Sequence, residues 1–242
     1  MRATGGYNRA DMESFGPKNA RFSKASDQSL LVYFDEKNTL DAHRRVAGLL
    51  GRLEQAPLAG VRNLHPAFRS LLVKFDPLRW KHEELEEALR SRIETAPEDV
   101  GKGRAIEIPV CYRGEFGPDL DDVARLHGMA AEEVIALHTA GLYVVFFLGF
   151  VPGFAYMGDL PTELVTPRLA TPRKSVPAGT VGIAGRQTGV YPFATPGGWR
   201  LLGRTPLKMF QKERAGMCLL RLGDRVKFVA VSRERFLELE NA

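Results

Sequence analysis

The chain has 242 residues, 44% of them hydrophobic, and a net charge of +5, so it can hold one large domain or two modest ones and is not disordered throughout. Its longest apolar run, Leu142 to Pro152, is about half of what a membrane-spanning helix needs, and the start of the chain lacks the apolar segment of a secretory signal. The positive charge is not gathered into a Lys/Arg stripe interleaved with aromatics, so neither a membrane nor a nucleic acid is an expected partner.

Residues 1–21 carry no periodicity and are expected to be a flexible head. The run SLLVYFD (29–35) reads as a strand, and Leu40, Val46, Ala47, Leu50 and Leu53 then place one apolar stripe on a helix capped by Asn38 or Thr39. Pro57 and Gly60 end that helix ahead of two further strands, VRNLH (61–65) and SLLVKF (70–75). A second helix follows, with Leu85, Ala88, Leu89 and Ile93 on its inner face. With AIEIPVC (105–111) as a fourth strand, residues 25–111 take the β-α-β-β-α-β order of a ferredoxin-like domain. The expected division is therefore an N-terminal α/β domain over 22–104 and a second domain over 105–242.

Residues 118–141 read as a helical pair, stopped by Gly128 and Gly141, which looks like an insertion ahead of the second domain. Beyond Leu142, the segments LYVVFFL, TVGIA, WRLLG, MCLLRL and RVKFVAV alternate with Gly/Pro turns, the pattern of a barrel or sandwich of short strands. The overall expectation is an α+β chain.

The chemistry is expected within Phe147 to Pro206. Leu164 to Lys212 holds eight basic residues (Arg168, Arg173, Lys174, Arg186, Arg200, Arg204, Lys208 and Lys212) and no Asp or Glu. A one-signed field of that kind calls for an anion to meet it. Seven glycines and six prolines in the same stretch stiffen its loops and let backbone N–H groups approach a ligand, although barrel corners need these residues too. Gln187, Thr188, Tyr191, Thr195 and Thr205 add donors and acceptors suited to a carboxylate, amide or phosphate.

Other chemistries lack their signatures. No phosphate-binding GxxxxGK[ST] loop, GxGxxG turn, HExxH helix or GxSxG elbow occurs. Cys111 and Cys218 stand far apart without His or Cys neighbours, so neither a disulfide nor a metal centre is expected, and a reducing, cytoplasmic setting fits best. Asp119, Asp121 and Asp122 lie where a helix begins and read as caps. His43, His65, His82 and His127 read as surface or packing residues. His138 closes a helix just before the apolar strand leading into the basic stretch, and it is both a candidate catalytic residue and a charge suited to a helix C-terminus.

At FFLGFVPGFAYMGDLP (146–161), TPRKSVPAGTVGIAGRQTGVYP (171–192) and TPGGWRLLGRTPL (195–207) the sequence closely resembles the family of 5-oxoprolinase B-type subunits, also called allophanate hydrolase subunit 1 or KipI-like. The resemblance covers residues 22–231 and implies an N-terminal α/β domain followed by a cyclophilin-like β-barrel. It further implies a protein that works with a homologous C-type subunit and an A-type subunit to cleave 5-oxo-L-proline to L-glutamate with ATP, Mg²⁺ accompanying the nucleotide at the shared complex. No tightly bound cofactor is implied. Carried onto this chain, Arg173, Lys174 and Arg204 would contact the anion. Gly153, Phe154, Tyr156, Gln187, Thr188, Tyr191, Gly197, Gly198, Trp199 and Thr205 would face the substrate, a small anion or amide. Related sequences form the first half of a urea carboxylase carboxyltransferase module or inhibit a histidine kinase, and both remain alternatives.

Overall fold

The computed structural model describes residues 20–94 and 103–241. The chain divides into two compact units, parted between residues 100 and 101. The head expected over 1–21 lies outside the described residues as far as residue 19, and Arg21 already opens a strand.

In the first unit β1 (Arg21–Ser26) and β2 (Ser29–Tyr33) form a hairpin, followed by α1 (Leu40–Gln55), β3 (Val61–Pro66), β4 (Ser70–Phe75) and α2 (His82–Glu94). Thr39 begins α1, its hydroxyl accepting the Ala42 N–H at 3.1 Å. The apolar stripe of α1 (Ala42, Val46, Leu49 and Leu53) and that of α2 (Leu85 and Leu89) join Leu30, Val32, Leu71 and Val73 in one core. The sheet is antiparallel throughout, in the order β1-β2-β4-β3.

This corrects the expected fourth strand. Residues 105–110 do not enter this sheet, and the place beside β2 is filled from upstream by β1. Alternating residues in AIEIPVC identify a strand but not its partner, whereas a hairpin closed over Asp27 and Gln28 has a small loop-closure cost. The edge strand itself is almost wholly exposed, so RFSKAS lacks the apolar alternation by which a strand is read.

The second unit begins with β5 (Ala105–Val110), followed by α3 (Leu120–His127), α4 (Ala131–Ala140), β6 (Tyr143–Leu148) and β7 (Ala155–Gly158). After these come β8 (Arg173–Val176), β9 (Thr180–Ala184), β10 (Gln187–Val190), β11 (Thr195–Gly197), β12 (Arg200–Arg204), β13 (Arg225–Ala230) and α5 (Arg233–Glu240). Seven strands make one sheet in the order β12-β9-β10-β7-β6-β13-β5, antiparallel except for the β13–β5 pair, while β8 and β11 form a separate ribbon. Cys111, just past β5, exchanges both backbone hydrogen bonds with Arg204 at 2.9 Å, so the two edges meet and the sheet is nearly closed into a barrel. Gly203 makes that seam possible, since a Cβ there would lie 2.6 Å from Val110 Cγ1.

Two further expectations are corrected here. The helical pair is not an insertion, because Leu120, Val123, Ala124 and Val134 are buried in the same core as Tyr143, Val145, Met157 and Phe228. MCLLRL is not a strand: only Cys218 pairs, with Phe210. Leu220 is buried as a plug in a turn held by Asp224, whose carboxylate takes Arg104 at 2.5 Å and the Arg221 N–H at 2.8 Å. Among the described residues, no helix is long and apolar enough to cross a membrane.

Candidate functional site

Three loops of the second unit converge on a hollow of about 240 Å³. The first joins β6 to β7 and supplies Phe150 and Phe154, with Tyr156 at the start of β7. The second runs into β8 and supplies Arg168 and Pro172, and the third links β10 to β12 and supplies Tyr191, Pro196, Gly197, Gly198 and Trp199. The Leu169 N–H donates to Gly198 O at 2.7 Å, tying the second loop to the third.

The walls are aromatic and brace one another. Phe154 meets Tyr156, Tyr191 and Trp199 edge to face at centroid distances of 4.9, 5.2 and 5.4 Å, and Phe147 stacks behind Tyr156 at 4.5 Å. Glycine allows this packing against the backbone: a Cβ on Gly197 would sit 2.4 Å from Tyr191 Oη, and one on Gly189 would sit 3.0 Å from Phe154 Cζ. At the rim Phe150 is 60% exposed with φ at 66°, a conformation that a bulky side chain rarely holds. Burial raises the Tyr156 and Tyr191 phenols above their ordinary range, opposed at Tyr156 by the charge of Arg168 and at Tyr191 first by a backbone hydrogen bond from Trp199 and then by Arg168 and Arg173, so both remain neutral hydroxyl groups.

The acid-free stretch of sequence is not an acid-free surface. Arg173 reaches Asp119 at 2.5 Å, and the other carboxylate oxygen of Asp119 accepts the Leu201 N–H at 2.7 Å. Asp119 stands at the helix start as expected but makes no cap, because its buried carboxylate is the anion that meets the basic stretch. The Arg173 guanidinium also approaches Trp199 O at 3.4 Å, so this pair fixes Pro172 and Trp199, two walls of the hollow, against β12. Arg186 faces Asp159 at 3.5 Å. Arg204 donates to Ala178 O at 2.9 Å and lies over the Phe236 ring, and Lys174 is exposed on the ribbon; neither lines the hollow. Arg168 does line it, and it makes no ion pair among the described residues.

His138 does not reach the site. It is fully buried between α4 and the barrel, stacked on Phe228 at 4.6 Å. Thr188 donates its one hydroxyl proton to Gly182 O at 3.1 Å, so it accepts from His138 Nε2–H at 3.0 Å, and Nδ1 accepts from the Tyr112 hydroxyl at 2.7 Å. Burial holds this imidazole neutral, its pKa pushed down to about 3. The expected roles of His138 in catalysis or as a charged helix terminus, and of Thr188 in ligand contact, are both corrected: the two residues build the core.

Thr205 is buried, its hydroxyl accepting the Leu207 N–H at 3.3 Å within a turn. Gln187, next to inward-pointing Thr188, projects from the opposite face of β10 and is half-buried outside the hollow. Gly153 serves the loop backbone, with φ at 84° and Phe210 Cβ only 2.9 Å from where its own Cβ would be. Of the expected set, Phe154, Tyr156, Tyr191, Gly197, Gly198 and Trp199 come together at this hollow; Arg168 and Phe150 also line it and Asp119 braces it, although none of these three was among the residues expected to face a ligand. Arg168 and Phe150 carried a signal in lying within the Gly/Pro-rich loops. The partner of Asp119 is 54 residues away and left none in the local pattern.

The carboxyltransferase domain family, subdomain C and D, matches residues 20–220. A relative from Bacillus subtilis, named as the B-type subunit of 5-oxoprolinase, is 41% identical over 229 residues, covering 89% of this chain and 95% of that protein. The solved structure of TTHA0988 is 38% identical with a TM-score of 0.76, covering 85% of this chain; the present chain spans only 40% of its length. The Kluyveromyces lactis urea carboxylase, 20% identical with a TM-score of 0.71, shares the fold over 90% of this chain and 22% of its own. The chain belongs to the carboxyltransferase subdomain C and D family and, within it, to the family of 5-oxoprolinase B-type subunits.

Proposed function

We propose that this chain is the B-type component of an ATP-dependent 5-oxoprolinase, which takes 5-oxo-L-proline into the aromatic hollow and delivers L-glutamate together with C-type and A-type partner subunits. The observation that carries this reading is a small hollow walled by Phe154, Tyr156, Tyr191 and Trp199 with one cation, Arg168, at its edge. A flat five-membered lactam with one negative charge matches that shape and charge. At about 240 Å³ the hollow is smaller than the roughly 300–1,000 Å³ of drug-sized pockets, so ATP and its Mg²⁺ belong in this reading to a surface completed by the partners.

A lactam carbonyl is a poor electrophile; transfer of the ATP γ-phosphoryl to its oxygen, with ADP leaving, would activate the ring carbon so that water adds there. The C–N bond then breaks with a proton going to nitrogen, and a second water releases phosphate from the resulting acyl phosphate. The work of this chain is to hold the ring still, keep bulk water off its faces and fix the carbonyl toward the partner. We read the first unit as a permuted ferredoxin-like layer, supported by the core that α1 and α2 share with its sheet, and the second as a cyclophilin-like barrel. A cytoplasmic location is supported by Cys111 and Cys218, both free thiols.

The test is to assemble the chain with its C-type and A-type partners and follow glutamate released from 5-oxoproline. Release is expected to require ATP and all three proteins, with no turnover by this chain alone. Absence of release in every combination would sink the reading. Urea-dependent chemistry in its place would favour the carboxyltransferase alternative, which rests here on fold likeness, and suppression of a histidine kinase would favour the inhibitor.

A further inference from the structure

We infer that Arg168, with the neutral hydroxyl groups of Tyr156 and Tyr191, forms a carboxylate-recognition subsite complete within this chain, so that a small ring ligand is selected by its carboxylate as well as by its ring. This rests on the proposed function for the identity of the ligand but not for the subsite itself. Arg168 lines the hollow without an ion pair among the described residues, whereas Arg173 and Arg186 of the same basic stretch each have an acidic partner. Arg168, Tyr156 and Tyr191 line the same hollow, and the positive charge of Arg168 acts on both phenols. A guanidinium fork flanked by neutral hydroxyl donors fits one carboxylate. A polyphosphate would ask for more positive charge than one arginine at this edge supplies.

The subsite is held in place from behind. Leu169, the next residue, is bonded through its N–H to Gly198 O at 2.7 Å, and Pro172 is anchored by the Arg173–Asp119 pair that follows it in sequence. Arg168 is itself exposed, so replacing it removes the charge without opening the core.

Trp199 borders the hollow and supplies an intrinsic fluorescence signal for binding to the full chain. The titrants are L-5-oxoproline, cyclopentanecarboxylate (the carboxylate without the lactam), 2-pyrrolidinone (the lactam without the carboxylate) and inorganic phosphate. The two carboxylates are expected to bind at least about tenfold more tightly than 2-pyrrolidinone, the scale of one charged hydrogen bond. Arg168→Gln should erase that preference while leaving 2-pyrrolidinone unchanged, and Arg168→Lys should restore part of it. Equal weakening of all ligands by Arg168→Gln, tighter binding of phosphate, or no saturable change with any titrant overturns the subsite. Carboxylate selection in a chain whose assembled complex releases no glutamate would keep the subsite and reject the 5-oxoproline reading.

Discussion

Asp119→Ala should lower the stability of the second unit by about 3 kcal/mol, the low end for breaking a buried ion pair, because Arg173 keeps 30% of its side chain in water. The substitution strands a guanidinium and leaves the Leu201 N–H without the acceptor it now holds at 2.7 Å. Arg173→Ala removes the charge as well as the partner, but it leaves the buried Asp119 carboxylate unmatched. The double replacement should therefore cost less than the two single losses added together. Urea unfolding followed through Trp199 reads all three variants, and strict additivity would show that the pair does not act as a unit. Arg173→Lys, which retains a charge but loses the two-pronged contact, should fall between.

His138→Ala should cost about 4 kcal/mol, since it opens a cavity beside Phe228 and takes a hydrogen-bond partner from both Tyr112 and Thr188. The same residue gives the fold an acid sensitivity of definite sign. In the unfolded chain His138 gains a proton as pH falls through its ordinary value of 6.5, whereas burial in the fold delays this to about 3. Between those values the unfolded chain holds the extra proton. The contribution is therefore complete above about pH 6.5 and is lost progressively below it, by about 2 kcal/mol from about pH 7 to about pH 5. His43, held down to about 4 by burial in the first unit, adds a term of the same sign there. Denaturation midpoints measured across that range should fall with acid in the native chain and fall less in the His138 variant. An unchanged slope would contradict the neutral, buried assignment.

What could be read from the sequence followed how locally each feature is encoded. α1 was legible because Val46 and Leu53 repeat on one face and Thr39 caps it, each about two turns from the next. β1 was not, because an exposed edge strand buries almost nothing and so carries no alternation. The strand at 105–110 was legible as a strand, but its parallel partner at 225–230 lies more than a hundred residues away. The aromatic half of the hollow was reached through the family resemblance, whose motifs carry Phe154, Tyr156, Tyr191 and Trp199, and of these only Tyr191 was also marked by its own polar chemistry. Its charge could not be read in the same way. A run of eight basic residues without an acid looked like an open field, yet Asp119 and Asp159 lie outside that run and neutralise Arg173 and Arg186 in space. Only Arg168 of these three is left facing the hollow, and sequence counting alone gave it no special place.

Gly197→Ala reports on whether 5-oxoproline occupies the hollow of this chain during turnover, as proposed. The added Cβ would come 2.4 Å from Tyr191 Oη, so the ring, a wall of the hollow, must shift while the residues that close the barrel are untouched. In the assembled three-protein complex, kcat/KM for glutamate release from 5-oxoproline should fall between about ten- and a hundredfold, the scale of a misplaced positioning group. Assembly, followed by size-exclusion chromatography, should remain normal. A Gly197→Ala complex that assembles and turns over 5-oxoproline with unchanged kcat/KM would contradict the account.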